Sequence, residues 1–252
     1  MPSSAAQKRP APRKPRGRPA STPEPERFLR IAEAAIACFS ELGYRRTQVA
    51  DIARQMGVAA GTLYLSVDSK EALLHLAVMR LCGEGFEGLA VPFPAPPVSQ
   101  TVLLLRKAVA ERTRFPALDL LLERRKLPVF EDLLRLGEEI YDRLASEARA
   151  IWLIDRCSLD IPELGNLHRD ELRGAVLASL IRLMERHGKL DHGKAAILAR
   201  NALEMLTWSA VHRRRNDRFH ADGIMPTDEA AIRAVSVRCF AVMLENAEKE
   251  TA

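Results

Sequence analysis

Aromatic side chains are scarce in this 252-residue sequence, at 5%, and no convincing strand pattern appears. Ala, Leu, Arg and Glu dominate instead, which favours helix over sheet. Four cysteines (Cys38, Cys82, Cys157 and Cys239) stand far apart, with no CxxC or other ligand spacing between them. That argues against a secreted disulfide framework and for reduced thiols in a core. No run approaches 18 apolar residues, so no spanning helix is expected and a membrane is not a predicted partner. The N-terminus is basic and proline-rich, without the apolar stretch of a signal peptide, so a soluble cytoplasmic protein is expected. No Ser-His-Asp arrangement, paired carboxylates or glycine-rich phosphate loop stands in a credible context, so neither an enzyme nor a cofactor is expected. His187 and His192, beside Asp191, are five apart and interrupted by Gly188. That spacing fits no common metal site and reads as a turn.

What is present is enough apolar sequence for a sizeable core, with 47% hydrophobic and 28% charged residues. The net charge of +5 is placed unevenly. Residues 1–30 hold eight basic residues against Glu24 and Glu26, so that segment carries +6 and all the rest −1. One end is therefore suited to a polyanion, with an ordinary globular body behind it. Residues 1–25, rich in Pro, Arg, Lys, Ala and Ser, have no apolar period and are expected to be disordered in the free protein. From Glu26 on, Phe28, Ile31, Ala32, Ala35, Ile36 and Phe39 follow the spacing of an amphipathic helix that Gly43 ends. A short helix follows Thr47, whose hydroxyl is placed to cap it, with Asp51 complementing its dipole. A third helix runs from Ala59 or Ala60 to Leu65, and a fourth is capped by Asp68 or Ser69. The segment Val91–Pro97 is a proline-rich loop. Long helical patterns then cover about 99–113, 129–154, 168–187, 194–214 and 227–248. The breakers between them are Pro128, Pro162–Gly165, Gly188 and the run 220–226. The expected architecture is all-α.

Residues 47–65 carry the functional signal. Ala53 is the small residue where two steeply crossing helices nearly touch. Gly57, four later, permits the positive φ of the tight turn between them. Ile52, Val58 and Leu63 point into a shared core. This is a helix-turn-helix, whose second helix can enter a major groove. Around it the stretch Phe28–Leu74 resembles the DNA-binding domain of the tetracycline-repressor (TetR) family. The matching residues are Ala34-Ala35, Phe39, Gly43-Tyr44, Thr47, Val49, Asp51-Ile52-Ala53, Gly57-Val58, Gly61-Thr62-Leu63-Tyr64 and Ser69 to Leu74. The resemblance implies an N-terminal three-helix domain over 26–74 and a helical ligand-binding and dimerisation domain over 75–252, behind the arm of residues 1–25. It implies that Thr47 donates to a DNA phosphate. Thr62 and Tyr64 would face DNA, Tyr64 at a phosphate, and Lys70 would reach a phosphate as a point charge. Gly61 would let the backbone approach closely. The sequence departs from the family at two places. Ala59-Ala60 replaces a capping residue and a long polar neighbour, leaving at most a thymine-methyl contact for base reading. Val67 replaces a usual aromatic, so looser packing is expected there.

A second motif, Pro15-Arg16-Gly17-Arg18-Pro19, resembles an AT-hook core, an extended Arg-Gly-Arg that fits a narrow minor groove. In the body, Leu198, Ala202, Met205 and Leu206, and then Ile232, Val235, Cys239, Phe240 and Met243, form stripes suited either to a four-helix dimer interface or to the monomer core. Trp152, His168, Met205, Trp208 and Phe130 are candidates for lining a ligand pocket. The expected function is a homodimeric repressor that a small-molecule effector releases from a pseudo-palindromic double-stranded DNA operator. An activating or ligandless regulator of the same fold is a second reading, and a helical enzyme with an incidental basic tail a third.

Overall fold

The structure is a computed structural model and describes residues 24–215 and 228–245. The basic arm with Arg16 and Arg18, and the chain between 216 and 227, lie outside the described residues. Among the described residues the regular structure is helical, with one isolated parallel bridge between Val67 and Phe93. No described helix is long and apolar enough to cross a membrane.

The N-terminal part comprises α1 (Glu24–Leu42), α2 (Val49–Gln55), α3 (Ala60–Tyr64) and α4 (Lys70–Cys82). The face of α1 predicted from its spacing is the buried one, with Phe28, Ala32, Ala35 and Phe39 fully enclosed. Gly43 ends α1 at φ +84°. Ser69, not Asp68, caps α4, its hydroxyl accepting the Ala72 N–H at 3.2 Å. The expected looseness at Val67 is not found, because Val67 is wholly buried. The proline-rich loop returns to this spot. Phe93 N–H donates to Ser66 O at 2.8 Å, and Asp68 N–H donates to Phe93 O at 3.0 Å. The Phe93 ring meets Phe28 edge-on at 6.1 Å. An aromatic from outside the domain thus fills the space that Val67 leaves.

The body comprises α5 (Val98–Arg112), α6 (Pro116–Glu123), α7 (Phe130–Ser146), α8 (Ala148–Cys157), α9 (Pro162–Asn166), α10 (Gly174–His187), α11 (His192–Thr207), α12 (Arg213–Arg215) and α13 (Glu229–Glu245). Two π-helical segments, Leu167–Arg173 and Trp208–His212, join α9 to α10 and α11 to α12. The single helix expected over 129–154 is broken at Glu147. There the Ser146 hydroxyl turns back onto Arg143 O at 2.9 Å, competing with the helix ladder. Pro162 begins a helix instead of separating two, since at the first position its missing N–H costs nothing.

Two core clusters form. The first joins α1–α4 to parts of α5, α8 and the segment 161–167, so packing does not part at residue 74. The second gathers α6, α7, α10, α11 and α13. In it Gly137 lets α13 approach α7 closely, for a Cβ there would lie 2.9 Å from the Phe240 ring. The stripe of the last helix proposed for a dimer is accordingly divided. Ile232 and Phe240 are buried in the monomer, while Val235 and Cys239 are exposed. In α11, Ala202 and Leu206 are fully buried in the monomer core, and Leu198 and Met205 pack against it.

Candidate nucleic-acid interface and the cavity behind it

The helix-turn-helix rests on a few residues. Ala53 is buried at the crossing of α2 and α3, Gly57 turns the chain at φ +71°, and Val58 N–H donates to Ala53 O at 3.0 Å. Ile52 and Leu63 lock both helices to α1 and α4. Asp51 holds the start of α2, its carboxylate accepting the Gln48 N–H at 2.9 Å. Ala59 precedes α3 and makes no side-chain cap. The outward surface of α3 presents Ala59, Gly61, Thr62 and Tyr64, all exposed, with Ala60 half-buried. Gly61 faces open space.

Two residues are placed otherwise than the resemblance implies. The Thr47 side chain is wholly buried, and its hydroxyl is directed at Gly43 O (2.7 Å) and Cys38 O (3.2 Å). It neither caps α2, whose capping residue is Gln48, nor is available to a phosphate. The short link between α1 and α2 explains this, since it folds Thr47 back onto the last turns of α1 and the Gly43 carbonyl just beyond them. Lys70 is turned the same way. Its ammonium donates to Tyr44 O (2.9 Å), Thr47 O (3.1 Å) and Arg45 O (3.4 Å), and stands 4.5 Å over the Tyr44 ring. Its donors are engaged within the domain, so it supports the link from inside and does not reach outward as a point charge. The Tyr44 hydroxyl donates to Glu71 at 2.7 Å. Burial and that bond push the Tyr44 phenol well above its usual range.

The same link is gripped from the body. Asp160, just beyond α8, accepts the Arg45 N–H at 2.7 Å, and Arg156 donates to Glu41 O at 3.2 Å. Arg215 donates to Ser40 O. Gly43 is needed here both for its φ and for space, since a Cβ would sit 3.3 Å from the Asp160 carboxylate. Farther along α8, Arg149 pairs with Glu33 of α1, which also accepts from Arg80 at 2.8 Å. Burial pushes the Glu33 carboxyl up, but the bonds from Arg149 and Arg80 outweigh it and hold the group below the usual carboxylate range.

Behind the grip lies a cavity of about 970 Å³, open mouth included, between α5, α7, α8, the first π-helical segment and α11. Its walls are mainly apolar, among them Leu105, Val109, Ile140, Ile151, Ile154 and Leu203. Of the sequence candidates only His168 lines it. Trp152, Met205 and Phe130 pack against the second core cluster instead, and Trp208 is partly exposed on α11's continuation. Trp152 is on α8 and Met205 on α11, helices that do line the cavity, but on other faces. His168 Nε2 lies 2.9 Å from Asp155, and His212 Nε2 lies 3.8 Å from the same carboxylate. The two histidines come from the two π-helical segments, the irregular turns that aim them at one point. His187, by contrast, is buried against Leu121 O, and His192 pairs with Glu185.

Residues 31–77 match the family model for bacterial regulatory proteins of the tetR family. The match covers 47 of the 252 residues, those of the N-terminal helices. The fatty acid metabolism regulator protein of Bacillus subtilis (strain 168) is 44% identical over 48 residues, covering 19% of this chain. The match spans a quarter of that curated relative's length. Among solved structures, the TetR family transcriptional regulator PfmR from Thermus thermophilus superposes with a TM-score of 0.44 at 23% identity, covering 86% of this chain and 97% of its own. The fatty acid degradation regulator FadR from Bacillus halodurans gives 0.41 at 19%, covering 86% and 94%. Both superpositions are loose.

Sequence reasoning missed several residues of the tetR-type domain and its surroundings. Arg45, Arg46 and Gln48 are exposed in the α1–α2 link, and Leu65 is 71% exposed at the end of α3. Asp160 and Arg156 gave no signal, being polar residues in an ordinary stretch whose partners lie about 115 positions away.

Proposed function

We propose that this protein is a DNA-binding transcriptional regulator, a repressor released from its operator when a small molecule enters the cavity of the helical body. The observation that carries the reading is the short α3, pinned to α2 through Ala53 and Gly57 within a tetR-type domain, with Gly61, Thr62 and Tyr64 turned outward. Such a helix fits a major groove. Thr62 and Tyr64 supply hydroxyls, and Ala59 and Ala60 offer methyl groups to thymine. Regulation by a ligand is supported by α8. Ile151, Ile154 and Asp155 line the cavity, and Arg156 and the adjoining Asp160 hold the link that leads into α2. A molecule that prefers a displaced α8 would shift the population away from the DNA-binding arrangement.

The domain organisation read from the sequence is kept, an arm over 1–25, a DNA-binding domain over 26–74 and a ligand-binding and dimerisation domain from 75, except that Glu24 and Pro25 already belong to α1. One helix-turn-helix makes few phosphate contacts, so a homodimer on a pseudo-palindrome is part of the reading. The outward face of α10 and α11, with Ala175, Ala178 and Ile197 exposed, is available for pairing. Arg16 and Arg18 would enter a flanking minor groove.

Footprinting on the DNA upstream of the protein's own gene, at physiological salt, tests the proposal. A discrete pseudo-palindromic footprint is expected. Uniform, salt-sensitive coverage without a protected site would overturn it.

A further inference from the structure

The outward surface of α3 is poor in the groups that usually identify a base. From Ala59 to Leu65 the chain holds no Arg, Lys, Asn, Gln, Asp or Glu, so no side chain there can make the paired hydrogen bonds that read guanine or adenine in the major groove. Thr62 and Tyr64 bring one hydroxyl each. The other exposed groups are apolar, and the largest of them is Leu65. It is more exposed than any other large apolar residue between Glu24 and Cys82.

A single exposed leucine is ordinary on a protein surface, so its place on the helix decides what it means. Leu65 keeps helical backbone angles, φ −70° and ψ −15°. It follows Gly61 by four residues and Thr62 by three, so the three share one face. The opposite face is held down by Leu63, with Val58 and Ala60 packed against the same core. The Cα–Cβ bond of a helical residue tilts toward the N-terminus, so Leu65 leans back over the turn that begins at Gly61 instead of projecting past the end of α3. On that turn nothing lies within 4 Å of where a Gly61 Cβ would stand. The face thus carries one branched apolar group beside an open notch. The helix has five residues, about 7.5 Å at the rise of an α-helix, which is less than the roughly 12 Å width of a major groove. Both of its ends therefore fit inside the groove.

We propose that Leu65 is the specificity-determining residue of α3, and that it packs against the C5-methyl group of a thymine in each operator half-site. This rests on the reading of α3 as the DNA-contacting helix. The thymine methyl is the apolar group that base pairs display in the major groove. Contact with it removes apolar surface from water on both partners. A guanine or a cytosine at the same position would instead set polar edge atoms against the leucine, where they find no partner. Ala59 and Ala60 present only single methyl groups, and Ala60 is half-buried, so they offer less area than Leu65.

The experiment starts from a duplex that the full-length protein selects out of a randomised DNA pool. Each thymine of its half-sites is replaced in turn by deoxyuridine, which removes the methyl group and nothing else, and affinities are read by titration at fixed salt. One position is expected to lose about fourfold per half-site on replacement, the worth of one buried methyl group. Leu65→Ala should weaken binding to the unmodified duplex by at least that factor and should be indifferent to deoxyuridine at the sensitive position. Its thermal unfolding should match that of the wild type, because the side chain is exposed. Leu65→Met, which keeps a long apolar side chain, should keep the discrimination. A wild-type protein that tolerates deoxyuridine everywhere would overturn the proposal while leaving α3 as the DNA-contacting helix. So would a Leu65→Ala variant that still distinguishes thymine from deoxyuridine at the sensitive position. Selection of no sequence from the pool would remove the DNA-binding reading itself.

Discussion

Replacing Lys70 by alanine separates two roles for a lysine at the start of α4. In the structure its ammonium donates to three carbonyls of the α1–α2 link and covers the Tyr44 ring. The shorter bonds, to Tyr44 O at 2.9 Å and Thr47 O at 3.1 Å, are partly buried. A hydrogen bond to a charged group contributes about 1.5–3 kcal/mol in protected surroundings, and a cation–π contact about 0.5–1 kcal/mol. The exposed bond to Arg45 O is replaced by water and counts for little. Taking low values and allowing for water at the half-buried site, Lys70→Ala should cost about 2–3 kcal/mol. For a chain of this size that is a fall in Tm of roughly 4–12 °C. The assay is thermal and urea unfolding alongside operator titration over a range of salt. The slope of log affinity against log salt should be unchanged, because no phosphate contact has gone. A slope flatter by about one unit per half-site, with unchanged stability, would refute the reasoning and restore Lys70 to the phosphate role.

Four further outcomes are expected. The Glu33 carboxyl is held low by Arg149 and Arg80, so the stability it contributes is full above its unfolded pKa and lost as pH falls through the folded one. Glu33→Gln should therefore lower stability at pH 7, by roughly 0.5–1 kcal/mol for a group this exposed, and the unfolding curves of mutant and wild type should converge only as pH falls below the ordinary carboxylate range. Burial pushes the Cys157 thiol up to about 12 and the Cys82 thiol up to about 11, while Cys239 is exposed, so a thiol reagent at pH 8 should modify Cys239 first and the other two only on unfolding. Asp160→Ala should speed hydrogen exchange at the Arg45 amide, and unchanged protection would show that the body does not hold the link. Arg16→Ala with Arg18→Ala should weaken operator binding by about tenfold and erase any preference for A·T over G·C in the flanks, read by titration at fixed salt; a flank preference kept by the double variant would leave the tail as a basic tether only.

The helices of the N-terminal domain were legible because each is specified locally. Apolar spacing places α1, Gly43 and Gly57 supply positive φ, and Ser69 offers a hydroxyl at the right offset. Roles that depend on where a long side chain turns were not legible. Thr47 and Lys70 both sit at positions that suit a phosphate, yet both turn inward to carbonyls of the α1–α2 link. The sequence signal for an unsatisfied helix end and for an anion is the same, a donor near a terminus. Val67 shows the same limit from the other side, since Phe93, which completes its packing, lies 26 residues downstream in a loop whose prolines say only that it is not helix. In the body, Trp and Met at helical spacing said nothing about which face they occupied. Trp152 and Trp208 stand outside the cavity, while Arg143 and Asp155 line it. The cavity was invisible because its walls come from α4, α5, α7, α8, α10, α11 and both π-helical segments, spread between residues 81 and 212, none with a pattern differing from plain core.

The position of α8 gives these pieces a physical connection. It packs on α1 through Leu153, Ile154 and Cys157, all buried in the first core cluster, and it lines the cavity through Ile151, Ile154 and Asp155. Ile154 belongs to both surfaces. Close-packed interiors do not deform continuously, so a molecule that displaces Ile154 must move α8 or be excluded. Movement of α8 carries Arg156 and Asp160 with it, and these hold Glu41 O and Arg45 N–H at the entry to α2. The α1–α2 link is also held from beneath by Lys70 and Thr47, which belong to the DNA-binding domain and do not depend on the cavity. The link thus has one set of contacts that keeps it folded and another that sets its position relative to the body. Only the second set touches the element lining the cavity. A ligand that moves α8 would therefore reorient the domain without unfolding it, which is what the proposed release from an operator requires.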